Sequence, residues 1–445
     1  MSKPISFYQC GPTMYWNQHI GNMKSVVMAD IMIRSLKYLG ADVTFVRNYT
    51  DVGHLSSDGD TGEDKMEKAV KRDEKSAEEI FQLYKAQYVS DIEKLNTLAP
   101  DVSPRATEHV DEMIELIEML LEKNFAYQTE HAIYFDISQK DNYTKLSHQD
   151  MDKLLSGTGH GDVQDTNKNN PGDFSLWFFK SGAHENALQT WKNPFSEKEG
   201  FPGWHIECSA MAHKYLGTSI DIHMGGIEHI PIHHTNEIAQ SESGYGSPFV
   251  DIWVHNEHLL VDNKKMSKSE GTSFLLSDIE KKGYSPLDLR YLFLQAHYRS
   301  KQNFTWDALE AAKNARKSII NRFSDTEKGS VSESFKTNFV DSLRDDFNSP
   351  KALGVVHEML SSNISDEDKL ATLIECDMIL GLDIERSVLE ISNTSIPDPI
   401  QDLAVKRIEA RNAKDWSLSD KIRDEIQELG YIVKDTDQGQ TISKK

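Results

Sequence analysis

Cysteine is scarce in this chain: three in 445 residues, too few for a disulfide framework. Long apolar runs are missing as well. No stretch approaches the roughly 18 apolar residues that a membrane-spanning helix needs. The opening Met1-Ser2-Lys3-Pro4 does not lead into a basic-then-apolar secretory segment. The expectation is a cytoplasmic protein with reduced thiols and no membrane partner. Positive charge is in deficit: 49 Lys and Arg stand against 71 Asp and Glu, a formal net charge of −22. That balance excludes broad, non-specific nucleic-acid binding, because phosphate contacts need clustered cations. It leaves room for a specific RNA touched by local basic patches. Internal repeats and low-complexity tracts are absent too. What remains, 38% hydrophobic and 27% charged residues, is ordinary globular composition, with length for roughly two to four domains.

The first 50 residues read as strand, turn, helix, strand. Ile5 to Gln9 is strand-like. From Gly21 to Leu39 apolar residues recur at helical spacing (Val26, Val27, Ala29, Ile31, Met32, Leu36), and Gly40 is a natural stop. Val43 to Val46 is a β-branched strand. Such a βαβ unit predicts a parallel, doubly wound sheet with its ligand at the strand carboxyl ends. A polar, acidic loop covers Leu55 to Glu63, and helices are expected over 73–96 and 107–124. Residues 125–200 read as an irregular insertion, short strands (Ala132 to Ile137) mixed with Gly/Asn/Asp-rich loops such as Gly157 to Gly172. Sheet is expected to resume near Trp204 and run to about 260.

Beyond Ser269 the chain turns helical. Ser285-Pro286 reads as an N-cap followed by proline at the first helical position. Asp307 with Glu310 reads as a capping box for a helix reaching Phe323, and Ser349-Pro350 as another start. Cys376 lies in an apolar helical stretch and is expected to be a small buried side chain. Residues 388–400, with Pro397 and Pro399, read as a linker. The final 45 residues suggest two short helices, a stop at Gly430 and a strand at Tyr431 to Val433.

Two separated stretches carry phosphate chemistry. His19-Ile20-Gly21-Asn22 falls where the first strand turns into the first helix, so backbone amides and the helix dipole favour an anion there. Gly21 lets the backbone approach a flat base, and His19 and Asn22 can donate to a phosphate as charge builds. Alone, the tetrapeptide could be an ordinary turn. Far downstream, Lys265-Met266-Ser267-Lys268-Ser269 precedes Glu270-Gly271; two lysines on a Ser/Gly loop can close over a triphosphate and neutralise departing pyrophosphate. Finding both in this order points to nucleotidyl transfer. Cys10, nine residues before His19, suggests a substrate recognised by metal or sulfur chemistry. Cys10, Cys208, His233 and Glu237 are zinc-type ligands, and the last two, four apart on an expected helix, share a face. His234 would point to a different face. With 17 histidines and no CxxC spacing, spacing alone leaves the metal open.

The pair of phosphate stretches resembles the two ATP motifs of class I aminoacyl-tRNA synthetases, and their surroundings resemble the cysteinyl-tRNA synthetase family. The supporting stretches are Cys10-Gly11-Pro12-Thr13-Met14-Tyr15, Asn48-Tyr49-Thr50-Asp51, Asp173-Phe174-Ser175-Leu176-Trp177, and Pro202-Gly203-Trp204-His205-Ile206-Glu207-Cys208-Ser209-Ala210-Met211. His233-His234-Thr235-Asn236-Glu237-Ile238-Ala239-Gln240, Ala296-His297-Tyr298-Arg299-Ser300, Asp345-Asp346-Phe347-Asn348-Ser349-Pro350 and Ala413-Lys414-Asp415-Trp416 carry the match nearly end to end. The resemblance implies an α/β protein with a doubly wound Rossmann-type parallel sheet, an inserted connective domain, a C-terminal helical bundle and a small α/β anticodon-binding domain. The implied boundaries are 1–125 and 201–262 for the two catalytic halves, 126–200 for the insertion, 263–305 for the stem-contact region, 306–390 for the bundle and 398–445 for the anticodon domain.

It also implies one Zn²⁺ per chain on Cys10, Cys208, His233 and Glu237, with Thr50, Trp204, His223 and Glu228 contacting the amino acid. His19, Gly21, Asn22 and Lys268 would hold ATP with Mg²⁺, and His19, Asn22, Lys265 and Lys268 would stabilise the developing charge. The implied reaction joins L-cysteine to ATP as cysteinyl adenylate, then passes it to the 2′-hydroxyl of the terminal adenosine of tRNA(Cys). A thiol bound as thiolate to zinc gains a soft-ligand bond that serine cannot match, whereas shape alone separates near-isosteres by only about a hundredfold. Four protein ligands describe a closed site, so either Glu237 is the weakest ligand or the metal becomes five-coordinate.

This sequence departs from the family in places. Asn22 replaces a histidine, Glu228 an aspartate, Met224 a glycine, and Gly53 to Lys65 is longer and more acidic than usual. The C-terminal basic residues Lys406, Arg407, Arg411 and Lys414, and earlier Lys313, Arg316, Lys317 and Arg322, could form RNA-binding helical faces. The family is usually monomeric. Two rivals remain: a related ligase that hands cysteine to an amino sugar, and an inactive zinc- or RNA-binding paralogue.

Overall fold

The computed structural model describes residues 3–53, 65–156, 167–266, 271–324, 326–392, 397–436 and 439–444. The chain opens with β1 (Ile5–Gln9), α1 (Ile20–Tyr38), β2 (Val43–Arg47), α2 (Lys65–Asp73), α3 (Ala77–Lys94) and α4 (Val110–Glu122). Next come β3 (Ala126–Gln128), β4 (Ala132–Phe135), α5 (Met151–Ser156), β5 (Phe174–Phe179), β6 (Gly200–Pro202) and α6 (Trp204–Leu216). The second half of the sheet follows as β7 (Ile220–Gly226), α7 (Thr235–Tyr245) and β8 (Val250–Asn256), then β9 (Leu259–Val261) and β10 (Lys264–Lys265). Helices α8 (Leu276–Lys281) and α9 (Pro286–Leu294), β11 (Gln302–Phe304) and α10 (Trp306–Arg322) lead to α11 (Glu333–Arg344), α12 (Ser349–Ser361) and α13 (Asp366–Leu380). The end consists of α14 (Ile384–Ser392), α15 (Asp398–Asn412), α16 (Trp416–Glu428), β12 (Tyr431–Thr436) and β13 (Gly439–Lys444). Among the described residues no helix is long and apolar enough to cross a membrane.

The central sheet has the order β2-β1-β7-β8, parallel throughout. Strands β1, β2 and β7 are largely buried, as a parallel sheet covered by helices requires, and the edge strand β8 is buried mainly at its carboxyl end. Helix α1 buries residues on most of its circumference, including Met23, Val27, Ile31 and Ile33. Two charged side chains go under with it, and both are partnered. Asp30 accepts from the Leu98 amide (2.7 Å), Arg34 Nε (2.8 Å) and Arg290 Nη2 (2.5 Å). The buried Arg290, on α9, also donates to the carbonyls of Leu380, Leu95 and Asn96, tying α1, the end of α3 and the end of α13 together. Lys24 donates to the carbonyls of Glu257 (3.2 Å) and Ser300 (3.3 Å).

By contacts the chain divides into two compact units: everything up to Ser318 with Glu327–Asp383, and Ile319–Thr326 with Ile384–Lys445. In the second unit α15, α16 and the β12–β13 hairpin surround Ile400, Ile422 and Ile426.

Several expectations change. The stretch expected as irregular holds a four-stranded antiparallel sheet, β3-β4-β5-β6. Its strand β5, Phe-Ser-Leu-Trp-Phe-Phe, is buried on both faces and so shows no alternation to read. Trp204 begins a helix rather than a strand, and that helix is buried on all sides from His205 to Ala212. Helix α10 is capped by Thr305, whose hydroxyl accepts from the Ala308 amide, and Asp307 lies inside the helix. Asn348, not Ser349, caps α12. Residues 388–392 and 398–400 are helical, with Pro399 in the first turn of α15, where a missing N–H costs nothing. The basic faces also fail as drawn. Arg407 is buried against Asp435 and Gln440, and Arg316 against Asp288 and the Leu382 carbonyl, so neither faces solvent. The acidic loop at Leu55 to Glu63 and most of Gly157 to Gly172 lie outside the described residues.

Burial lowers the Lys24 ammonium to about 8, with the Glu257 charge partly opposing. The folded group holds its proton less tightly than the unfolded one. Protonated Lys24 therefore weakens the fold below that value, and the cost is relieved as pH rises toward the unfolded lysine range. Between about pH 7.5 and 10, the unfolding free energy should gain about 2 kcal/mol relative to Lys24→Met. Urea denaturation of both proteins across that window checks this.

Candidate active site and metal centre

A cavity of about 410 Å³ opens at the carboxyl ends of β1, β7 and β8, where a doubly wound sheet places its ligand. Its wall includes Cys10, His19, Gly21, Asn22, Thr50, Trp204, Cys208, Glu228, His233 and Lys265. Of the residues the resemblance gives a role in metal, ATP or amino-acid binding, His223 and Glu237 lie behind that surface, and Lys268 lies outside the described residues.

One wall is the start of α1. His19 is its N-cap: Nδ1 accepts from the Asn22 amide (3.3 Å), and the His19 amide donates to Asn22 Oδ1 (3.2 Å). The neutral ring therefore carries its proton on Nε2, and the Asn22 side chain keeps its NH₂ for donation. A Cβ at Gly21 would come within 2.2 Å of Met266 Cε and 3.0 Å of the His19 ring, so any side chain here would push the methionine tip aside and crowd the rim. The backbone ties the first phosphate stretch to the segment that follows the second: Ile20 donates to the Phe274 carbonyl at 2.9 Å, and His19 bridges to Leu275. Lys265 is exposed on β10.

The cavity floor is a buried cluster. One donor atom each from Cys10, Cys208, His233 and Glu237 lie within 4.8 Å of one another. Three segments deliver them. Cys10 follows β1, held by its amide on the Met224 carbonyl at 3.0 Å. Gly11 beside it touches the Asn48 carbonyl so closely that any Cβ would overlap it. Cys208 lies on α6. His233 sits in a π-helical turn, Ile230–His234, which runs into α7 with Glu237. His233 Nε2 is 2.9 Å from Glu237 Oε1, and its Nδ1 is 2.9 Å from His205 Nδ1.

The wider turn corrects the expectation for His234. Its Nε2 is 3.4 Å from Cys10 Sγ, and it forms a second possible ligand set with Cys10, His223 and Glu237. A π turn adds a residue to the helical repeat, which brings consecutive histidines to one side. His255 Nε2 meets His234 Nδ1 at 2.8 Å behind it.

Burial governs the charges. It pushes the Cys10 thiol and Glu237 carboxyl well up, and the imidazoles of His223, His229 and His234 well down. Cys208 moves the other way, its thiolate favoured by a hydrogen bond from Cys10. Glu237 Oε2 is buried with no hydrogen-bond partner. A divalent cation would reverse the cost of these charges, and two thiols, an imidazole and a carboxylate are a zinc-type donor set.

The side facing the floor is less uniform. Thr50 is buried, its hydroxyl 3.2 Å from Asn48 Nδ2 and 3.4 Å from Glu207 Oε2. The Trp204 ring lies 4.9 Å from that of His233, with the Lys65 ammonium 6.0 Å above it. Glu228 is exposed on a short turn, 3.6 Å from His258. His223 does not line the cavity. It stacks on Trp253 beneath Cys10, 3.3 Å from the sulfur. The sequence reading missed Lys65, His229 and Asn256 on the wall; none carries a local pattern that marks it.

A cavity at the mouth of a parallel sheet, with a helix N-terminus and a lysine strand on its rim, is the arrangement of a class I tRNA synthetase. The family described as tRNA synthetases class I (C) catalytic domain matches residues 1–314. Mycobacterium tuberculosis methionyl-tRNA synthetase bound by methionyl-adenylate shares the fold at a TM-score of 0.61, with 13% identity over 87% of this chain and 94% of its own. A DALR domain matches 338–364, and a cysteinyl-tRNA ligase anticodon binding domain matches 393–442. The cysteine–tRNA ligase of Treponema denticola is 40% identical over 98% of this chain and 94% of its own length. Those of Burkholderia lata (40%; 98% and 92%) and Chlorobaculum tepidum (38%; 100% and 96%) are similar. The chain belongs to the cysteine–tRNA ligase family.

Adding zinc ion to metal-stripped protein should raise its thermal midpoint by several degrees through binding to the folded state alone. Cys208→Ala should abolish most of that rise, and differential scanning calorimetry reads both.

Proposed function

We propose that this chain is a cysteine–tRNA ligase that activates L-cysteine with ATP and Mg²⁺ and charges tRNA(Cys). The observation that carries this reading is the convergence of two thiols, an imidazole and a carboxylate at the floor of a cavity whose rim is a helix N-terminus. Cys10, Cys208, His233 and Glu237 would hold Zn²⁺. When bound, the ion supplies a soft partner for the substrate sulfur that a hydroxyl cannot replace at neutral pH.

The rest is done by protein groups. Thr50, Trp204 and Glu228 would orient the amino acid, and Trp204 beside His233 narrows the space above the floor. His223, behind Cys10, would act on the pocket through the sulfur rather than by contact. The carboxylate of cysteine attacks the α-phosphate of ATP, and pyrophosphate leaves. His19 through Nε2, Asn22 through Nδ2, and Lys265 and Lys268 would stabilise the charge on the phosphates, so that catalysis is positioning and electrostatics. No side chain needs to become a nucleophile. Asn22 donates but carries no charge, so this rim is less positive than one with histidine. The 2′-hydroxyl of the terminal adenosine of the tRNA then attacks the carbonyl of the cysteinyl adenylate, the acyl–phosphate bond breaks, and AMP leaves. The match to an anticodon domain at 393–442 favours tRNA over an amino sugar as acceptor.

Cysteine-dependent ATP–pyrophosphate exchange followed by aminoacylation of tRNA tests the reading. Exchange without charging would favour the sugar ligase, and neither would favour an inactive paralogue. Glu237→Gln should weaken cysteine affinity about tenfold or more and reduce selectivity against serine. Unchanged affinity and selectivity would remove Glu237 from the role of the ligand that yields.

A further inference from the structure

A second polar arrangement reaches the cavity from behind α1, and the metal cluster takes no part in it. It starts at Arg47, which ends β2 and is 1% exposed. Arginine carries donors only. Its Nε gives a hydrogen to Gln9 Oε1 on the neighbouring strand at 2.8 Å. The Gln9 oxygen is thereby committed, and its amide nitrogen turns toward Ser25 on α1, 3.3 Å from the carbonyl and 3.4 Å from the hydroxyl. Ser25 has one proton to give, and it gives it to Asn256 Oδ1 at 2.8 Å. The polarity runs one way because its first member cannot accept.

At the far end Asn256 closes β8 and lines the cavity. Shape alone does not distinguish the two ends of a carboxamide; the chain of donors does. With Oδ1 used by Ser25, the two hydrogens on Nδ2 are the part of Asn256 left for a ligand. Its neighbours on the wall are Gly21, one turn before Ser25 on α1, and the Glu257-His258-Leu259 segment. Its bond to Ser25 puts it on the α1 side of the wall, one turn from Gly21 and the backbone opening for a flat base.

We propose that Asn256 is a specificity residue that donates to a hydrogen-bond acceptor on the nucleoside of ATP, with Arg47, Gln9 and Ser25 as positioning residues that hold its amide in the donating orientation. This rests on the reading of the cavity as an ATP site. Gln9→Glu reverses the chain without removing a side chain. A carboxylate keeps the bond to Arg47, takes the Ser25 proton, and leaves Asn256 to turn its nitrogen toward Ser25 and its oxygen toward the cavity.

The test is calorimetric binding of MgATP and of analogues lacking one acceptor each: 2′-deoxy and 3′-deoxy for the ribose, 1-deaza, 3-deaza and 7-deaza for the base. One analogue should bind the unmodified protein three- to tenfold more weakly than ATP, about one hydrogen bond. Whether it is a ribose or a base analogue identifies the acceptor. In Gln9→Glu and Ser25→Ala, ATP should weaken by a similar factor while that analogue loses nothing further. In pyrophosphate exchange, KM for ATP should rise with kcat and KM for cysteine unchanged. Ser25→Ala, a smaller change on a helix, keeps the test open if the buried carboxylate prevents folding. Equal analogue penalties in all three proteins would overturn the relay and leave the ligase reading standing. If the unmodified protein binds no MgATP, the ligase reading falls and this one with it.

Discussion

The parallel pairing of β1 with β7 is the constraint on which the site depends. It sets Tyr8 opposite His223 and Gln9 opposite Met224, and the next hydrogen bond, from the Cys10 amide to the Met224 carbonyl, fixes the first sulfur. From that edge the chain leaves β7 through the short turn carrying Glu228 and enters the π turn and α7, so His233 and Glu237 arrive over Cys10. Parallel strands leave this edge together, and loops from residues far apart in sequence meet there. A one-residue slip would turn Cys10 to the other face and remove it from the cluster.

The same pairing explains the electrostatics. Burying a carboxyl, two thiols and several imidazoles in one place favours the neutral form of most of them. Burial drives the imidazoles of His223, His229 and His234 toward their neutral form and the Glu237 carboxyl toward its protonated one. Such a cluster costs stability unless something repays its polar atoms, and a cation on the donors would do so. Helix α1 joins this floor to the phosphate rim. Its N-terminus forms the rim, while its middle is anchored by Asp30 to Arg290 and by Lys24 to two carbonyls. The rim is therefore the end of a helix whose middle is bonded into the core.

Much of this was legible in residue order. The first βαβ unit, the Ser285 cap and the Gly430 stop follow from local rules, and the structure has them where those rules put them. The helical spacing of His233 and Glu237 was legible too. The antiparallel insertion was not, because β5 is buried on both faces and its run of apolar residues has no period. Nor was the helix at Trp204, which is buried on all sides, polar residues included, and so shows no one-faced apolar period. Arg407 and Arg316 read as surface charge, yet each is covered by an acidic or carbonyl partner brought in from elsewhere.

The order of residues by itself determined the chemistry on offer: which side chains can bind metal, which turn can meet a phosphate, and which lysines can face one. Those depend on residue type and short spacing. Only the tertiary structure decided which groups share a space. It brought His234 in beside His233 and put His223 behind Cys10 rather than on the wall. It also aimed the Asn256 amide through Arg47, 209 positions away in the chain. Hydrogen-bond direction and burial arise from neighbours, and neighbours across a sheet are set by strand pairing, which no local stretch of sequence contains.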